Sequence, residues 1–430
     1  MTSISRHKGV LLTALGLVAL WATDTWAQGP TIDPGDTAWI LTSSALVMAM
    51  TLPGLALFYG GLVRNKNVLG TIMHSVIILC VISLVWVLWG YSLAFGPDKA
   101  SVIGSLEWIG LRGVGLEPSD YASTVPHQAF MVFQLMFAAI TVALMTGAFA
   151  ERMKFTALLL FAILWSTLIY SPLAHWVWGG GWLGQMGVLD FAGGAVVHIS
   201  SGFGALACAI VLGKRKGYGV ENMAPHNLPM CVLGAGLLWF GWFGFNAGSA
   251  LGANETAAGA FVATHTAAAA AAVSWMVAEW LHRGKPTMLG VASGIIAGLA
   301  TVTPAAGFVG PLSAMLIGLV TGSLCYLAVV WKNRFGYDDS LDVVGIHGIG
   351  GVFGILATGL FASMGATGLF FGNPGQFGKQ VVLALVTVVF CFVGTFIILK
   401  VVDLIVGLRV SSEDEETGLD LSQHNERAYS

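Results

Sequence analysis

The chain is poor in charge. Of its 430 residues, 10% are Asp, Glu, Lys or Arg, against about 25% in soluble domains. Too few polar side chains remain to cover a water-facing surface, so a soluble globular protein is excluded and an all-α integral membrane protein is implied. The net charge of −3 is too small to point to a partner, and nothing suggests nucleic acid. Cysteine is also scarce. Cys80, Cys208, Cys231, Cys325 and Cys391 each lie inside apolar runs, as packing residues do, and their spacing excludes a disulfide framework or a zinc site. No Lys or Arg falls in the middle of an apolar run, which excludes a charged relay across the membrane.

What the chain has instead is apolar length and glycine. Hydrophobic residues make up 56%, and there are 57 glycines. In lipid, small residues let helices approach closely where the hydrophobic effect gives no help. At the N-terminus Arg6, His7 and Lys8 precede an apolar run from Val10 to Ala22, followed by Thr25-Trp26-Ala27. A basic region, a short apolar region and a small-x-small end read as a secretory signal cut near Ala27, covering residues 1–27.

A membrane-spanning helix needs about 20 apolar residues. The runs give eleven candidates: Thr37–Val63, Val68–Phe95, Gln128–Ala150, Phe155–His175, Ala192–Leu212, Leu228–Leu251, Thr256–Leu281, Leu289–Thr301, Ala305–Trp331, Asp342–Phe361 and Gln380–Leu408. The eighth is the shortest. They make residues 28–410 a single membrane domain and leave residues 411–430 as a tail. Basic residues crowd alternate loops (Arg64 and Lys66, Arg152 and Lys154, Lys214 to Lys216, Arg283 and Lys285, Lys332 and Arg334) and the tail. The opposite loops hold Lys99, Arg112 and Lys379. Because cytoplasmic loops carry the excess of Lys and Arg, this predicts N-terminus out and C-terminus in, with the chain in the cell (inner) membrane.

An internal symmetry is visible. Phe58-Tyr59-Gly60-Gly61 in the first span is echoed by Phe245-Asn246-Ala247-Gly248 in the sixth. Val197-His198 in the fifth is echoed by Ile346-His347 in the tenth. An offset of five spans reverses orientation, so the pattern is that of an inverted five-helix repeat, helices 1–5 and 6–10, with a long helix 11 added. Transporters of this kind place their site near the midplane between the repeats.

His198 and His347 are the two histidines deepest in apolar spans. Ionisable groups there are costly and mark function, and their repeat-related positions would let the rings meet. A metal would need three or four ligands. Asp190 and Asp342, the nearest carboxylates in sequence, lie toward span ends, so no metal and no cofactor is expected. His74 and His265 have no repeat mate and read as packing or interface residues. His127, His175, His226 and His282 lie near span ends, where water or headgroups would satisfy them. At the outer mouth, Phe133 and Phe137 share a helix face, Trp178 precedes three glycines, and Asn246 and Ser249 close the sixth span. Aromatic faces with a hydroxyl suit a small cation; an interfacial aromatic belt would look the same.

Together these residues resemble the ammonium transporter (Amt/MEP/Rh) family, and its bacterial members most. The matches are Asp190-Phe191-Ala192-Gly193-Gly194 through His198 to Gly213-Lys214-Arg215, Ala56 to Gly61, Trp242 to Ser249, Asp338-Asp339 through Asp342 to His347-Gly348, and a tail of similar pattern. The resemblance implies a homotrimer with one pore per subunit and no enzymatic activity. It implies that Trp178, Phe133, Phe137 and Ser249 recruit ammonium, with methylammonium as its analogue. It makes Phe137 and Phe245 the gate, and His198 and His347 the twin histidines of a hydrophobic pore. Asp190 becomes an acidic residue needed for transport without binding the cation. It also implies a PII-type regulatory protein against Lys332–Asp339 and Ser411–Ser430, although the acidic run Glu413 to Glu416 by composition looks merely solvated. An ammonium sensor and an Rh-type neutral gas channel are the alternatives; an aromatic cation cage argues against the latter.

Overall fold

In a computed structural model, the structure describes residues 31–429. The proposed signal, 1–27, lies outside the described residues. Among the described residues ten helices are long and apolar enough to cross a membrane. In chain order, with one shorter apolar helix included, they are α1 Pro34–Leu62, α2 Asn65–Phe95, α3 His127–Phe149, α4 Phe155–Met186, α5 Gly194–Leu212, α6 Leu228–Gly248, α7 Glu255–Arg283, α8 Met288–Val302, α9 Pro311–Phe335, α10 Val344–Phe361 and α11 Pro374–Val406. Each overlaps most of its expected run, although α4 extends past His175 to Met186, α9 begins at Pro311 rather than Ala305, and α11 begins at Pro374 rather than Gln380. The eighth, α8, is the short one and packs against α6, α7 and α9.

Local chemistry sets the ends. Asn227, Asn254, Thr287 and Asn373 accept from the first free N–H groups of α6, α7, α8 and α11, which otherwise have no partner inside the helix. Pro53 kinks α1. The α2–α3 loop forms two small antiparallel hairpins, β1 Asp98–Lys99 with β2 Ile103–Gly104 and β3 Pro118–Ser119 with β4 Ala122–Pro126. These fold over the helix ends, and this corrects one expectation. His127 and His175 are buried and bonded inside the protein: His127 Nε2 lies 2.6 Å from the Tyr91 hydroxyl, and His175 bonds Ala94 and Asp98.

The tail is not merely solvated either. It forms two short helices, α12 Ser412–Thr417 and α13 Leu419–His424. Glu415 is buried, and its carboxylate accepts from Arg409 Nη2 at 2.8 Å and from the Lys216 N–H. Asp420 accepts from the Gly70 N–H at 2.8 Å. Composition misread the run because half of one helical turn of acid faces basic loops rather than water.

α5 and α10 cross at the centre. Each begins with a six-residue π-helical turn, Gly194–Ile199 and Val344–Ile349, with the histidine fifth in the first turn and fourth in the second. Four residues on stand Gly202 and Gly351. A Cβ on Gly202 would overlap the backbone of Gly348, and one on Gly351 would press within 3.0 Å of Ile199 N. Each glycine therefore sits on the residue that follows the other helix's histidine. This reciprocal packing relates α5 to α10 by a local two-fold.

Candidate functional site

His198 and His347 are brought together by that crossing. Their ring centroids are 5.2 Å apart with planes at 22°, and their Nδ1 atoms are 3.2 Å apart. One Nδ1 donates and the other accepts, so the rings hold opposite tautomers when both are neutral. Both line a narrow cavity with Trp242 and Phe245. The cavity leaves about 10 Å³ for the centre of a water-sized molecule, room for about one ammonia or water. Among the described residues His198 Nε2 has no partner.

Outward from the histidines the rings form a continuous row. Phe245 lies 6.0 Å from His198 at 28°. Phe137 stacks on Phe245 at 4.2 Å and 29°. Trp178 stands edge-on to Phe137 at 6.1 Å and 89°. Beyond this stack opens a roomier cavity, about 340 Å³ by the same measure, lined by Trp178, Phe137, Ser249 and Asp190, with Phe95, Tyr121, Phe130 and Gln134. Phe133 is not brought into it: fully buried, it packs behind Phe137 at 4.9 Å, since the i, i+4 spacing sets the two rings together but turns only one toward the cavity. The Ser249 hydroxyl donates to Phe245 O at 2.9 Å, which leaves its lone pairs available.

Asp190 is a cap. Oδ1 accepts from the N–H groups of Gly193 and Gly194 at 2.9 and 2.6 Å, and Oδ2 from Ala195 and Val196 at 2.8 and 3.2 Å. Gly193 makes this possible with φ +113°, a conformation only glycine adopts readily. Burial holds the Asp190 carboxyl above its ordinary range, against the opposing pull of the four N–H bonds. With its oxygens engaged by backbone, Asp190 holds the start of the helix that carries His198.

A family model described as Ammonium Transporter Family matches residues 38–429. The chain belongs to the ammonium transporter family. It is 55% identical to the ammonium transporter of Bacillus subtilis (strain 168) over 92% of this chain and 98% of that one. It is 50% identical to ammonium transporter Amt1 of Archaeoglobus fulgidus over 92% and 99%. Among solved structures, Mep2 of Saccharomyces cerevisiae superposes with a TM-score of 0.84 at 40% identity, covering 89% of this chain and 88% of that chain. A structure described as a sensor Amt protein has the same TM-score at 30% identity, covering 91% and 98%.

One residue of this ammonium transporter family member escaped the sequence reading. Asp339, not Asp342, is the counterpart of Asp190: it stands eight residues before His347, as Asp190 stands eight before His198. Its Oδ2 accepts from the Val344 N–H at 2.8 Å, at the start of α10. The equal offset was available in the sequence. Asp342 instead lines the pore cavity and pairs with Lys332. His74 packs on Phe149 at 6.4 Å, and His265 stacks on Trp239 at 5.3 Å on an exposed face. Among the described residues no group of three or more His, Cys, Asp or Glu is arranged to hold a metal.

Proposed function

We propose that this member of the ammonium transporter family recruits ammonium as the cation in the outer cavity, at Trp178, Phe137 and Ser249, and passes it as ammonia between Phe137 and Phe245 and along His198 and His347. The observation that carries the reading is the row Trp178, Phe137, Phe245, His198, His347, apolar or aromatic at every step and ending on two hydrogen-bonded imidazoles. A bare monovalent cation in a dry, low-dielectric channel costs tens of kcal/mol by Born solvation. Giving up a proton costs about 1.4 kcal/mol for each unit by which the ammonium pKa exceeds the pH. Ammonium therefore enters by deprotonating. Potassium has no proton to give up and is refused.

The proton follows through the imidazole pair. Ammonium pulses on proteoliposomes then evoke an inward current that is lost in His198→Ala with His347→Ala; neutral uptake by the wild-type chain would overturn this step. Capture as the cation is also what separates this reading from a neutral gas channel. A sensor role is the second reading, favoured by the likeness to the sensor Amt structure; methylammonium accumulation in cells lacking their own transporter decides for transport.

The same proposal takes α8 as a crossing, for eleven in all, N-terminus out and C-terminus in, in the cell membrane. Support comes from an ion pair. Arg215, between α5 and α6, lies 2.9 Å from Asp338, between α9 and α10. Loops on one face are separated by an even number of crossings, and α6 to α9 make four with α8 included. The homotrimer and the PII-type partner at the face of the basic loops and the tail are part of this proposal, as is residues 1–27 serving as a signal.

A further inference from the structure

His175 stands three residues before Trp178, on the stretch of α4 that ends at Val177, and no role in transport follows from its place in the sequence. It is completely buried. Nδ1 lies 2.9 Å from the Ala94 carbonyl oxygen at the outer end of α2, and Nε2 lies 2.8 Å from Oδ1 of Asp98 on β1. A carbonyl and a carboxylate only accept. A neutral imidazole has one N–H and can satisfy one of them; both contacts are hydrogen bonds when the ring carries two protons. The Asp98 side chain is partly open to solvent, 38%, and the His175 bond holds its carboxyl below the ordinary range.

The clamp bears directly on Trp178. The N–H groups of Gly179 and Gly181 donate to the His175 carbonyl at 3.0 and 2.9 Å, so the chain leaving Trp178 turns back over the same residue. A Cβ on Gly179 would overlap the Ala94 carbonyl, the acceptor of the clamp itself. The backbone on the far side of Trp178 is thereby pinned against α2. The indole is held from the other side by its Nε1–H, which donates to Asp190 O at 2.9 Å.

We propose that His175 is a positioning residue of the outer site: bridging the Ala94 carbonyl and the Asp98 carboxylate, it fixes the Trp178 ring over the cavity where ammonium is captured. This rests on the reading of Trp178 as part of the recruitment site. Releasing the clamp frees the turn of α4 before Trp178 from α2 and lets the indole drift from its edge-on place beside Phe137, while the pore beyond Phe245 is untouched.

The test is concentration-dependent uptake of labelled methylammonium by the full chain in cells lacking their own transporter, normalised to transporter in the membrane. Asp98→Ala and His175→Phe raise the half-saturation concentration about 3- to 10-fold, the worth of a displaced cation–π contact, with the maximal rate per molecule within about twofold of wild type. Asp98→Ala changes a partly exposed side chain, so it remains informative where His175→Phe fails to reach the membrane. Asp98→Asn, whose amide donates to an unprotonated Nε2, keeps the bridge and stays near wild type; equal losses in Asp98→Asn and Asp98→Ala overturn the positioning role. Trp178→Leu separates the two levels. A raised half-saturation in Trp178→Leu, with unchanged values in Asp98→Ala and His175→Phe, leaves the recruitment site standing and overturns the role of His175. An unchanged value in Trp178→Leu overturns the recruitment reading itself.

Discussion

Gly202 and Gly348 meet backbone to backbone where α5 crosses α10, with no room for a Cβ on Gly202. That contact is what lets His198 and His347 come within hydrogen-bond distance. Substituting Gly202→Ala pushes the helices apart. Overpacking of this kind costs about 1–3 kcal/mol, and we expect a lower Tm in detergent together with loss of most of the ammonium-evoked current. Full current in Gly202→Ala would mean that contact between the rings is not required.

Asp190 accepts from four buried N–H groups, and its removal leaves them without partners at roughly 1–3 kcal/mol for each unsatisfied group. Asp190→Ala is expected to abolish methylammonium uptake. Asp190→Asn, which keeps one accepting oxygen, is expected to retain a fraction of it. If the carboxylate served instead as a cation ligand in the outer cavity, the two variants would be equally inactive.

The stacked rings differ in what stands behind them. Phe137 meets Phe133, Trp178 and Phe245, whereas Phe245 also faces His198 and Trp242. Truncating a buried Phe costs about 3–5 kcal/mol in either case. Phe245→Ala additionally unseats His198, so uptake per molecule should fall further in Phe245→Ala than in Phe137→Ala; the reverse order in a side-by-side uptake assay would refute this account of the gate.

Asp339 supplies a pH dependence. Burial, with Asp342 nearby and Lys332 opposing, pushes its carboxyl up from 3.8 to about 6. Between those values the folded chain holds a proton that the unfolded chain has released. Stability therefore falls as pH rises through this window and levels off above it. The Tm of the wild-type chain should drop from pH 4 to pH 6 relative to Asp339→Asn, whose amide does not titrate. Parallel Tm profiles for the two proteins would exclude Asp339 as the titrating group.

Much of the fold was legible because the bilayer imposes it. A run of apolar residues long enough to span lipid has to be helical, since no water is present to satisfy its backbone, and each expected span coincides with a helix over most of its length. His198 and His347 stood out because ionisable side chains are rare in such runs. Asp339 was missed because Asp342 lies nearer to His347 in sequence, and nearness along the chain does not say which carboxylate reaches the first free N–H groups of α10. Phe133 was grouped with Phe137 by helical spacing, which places two rings side by side without saying which one faces the cavity. The tail was misread because composition cannot show that Glu415 turns toward Arg409 and Lys216.

By itself, then, the sequence determined a helical membrane chain, the places of its helices, its echo across five spans and its resemblance to the ammonium transporter family. The helices rest on local composition and periodicity, the echo and the resemblance on short motifs of named residues. Tertiary structure alone decided that the two imidazoles bond to each other, that Asp190 spends both oxygens on backbone N–H groups, and that His175 is clamped between α2 and β1. Each of these is a distance between residues remote in the chain, and such distances are set by how closely helices pack, here by whether a glycine leaves room for a neighbouring backbone.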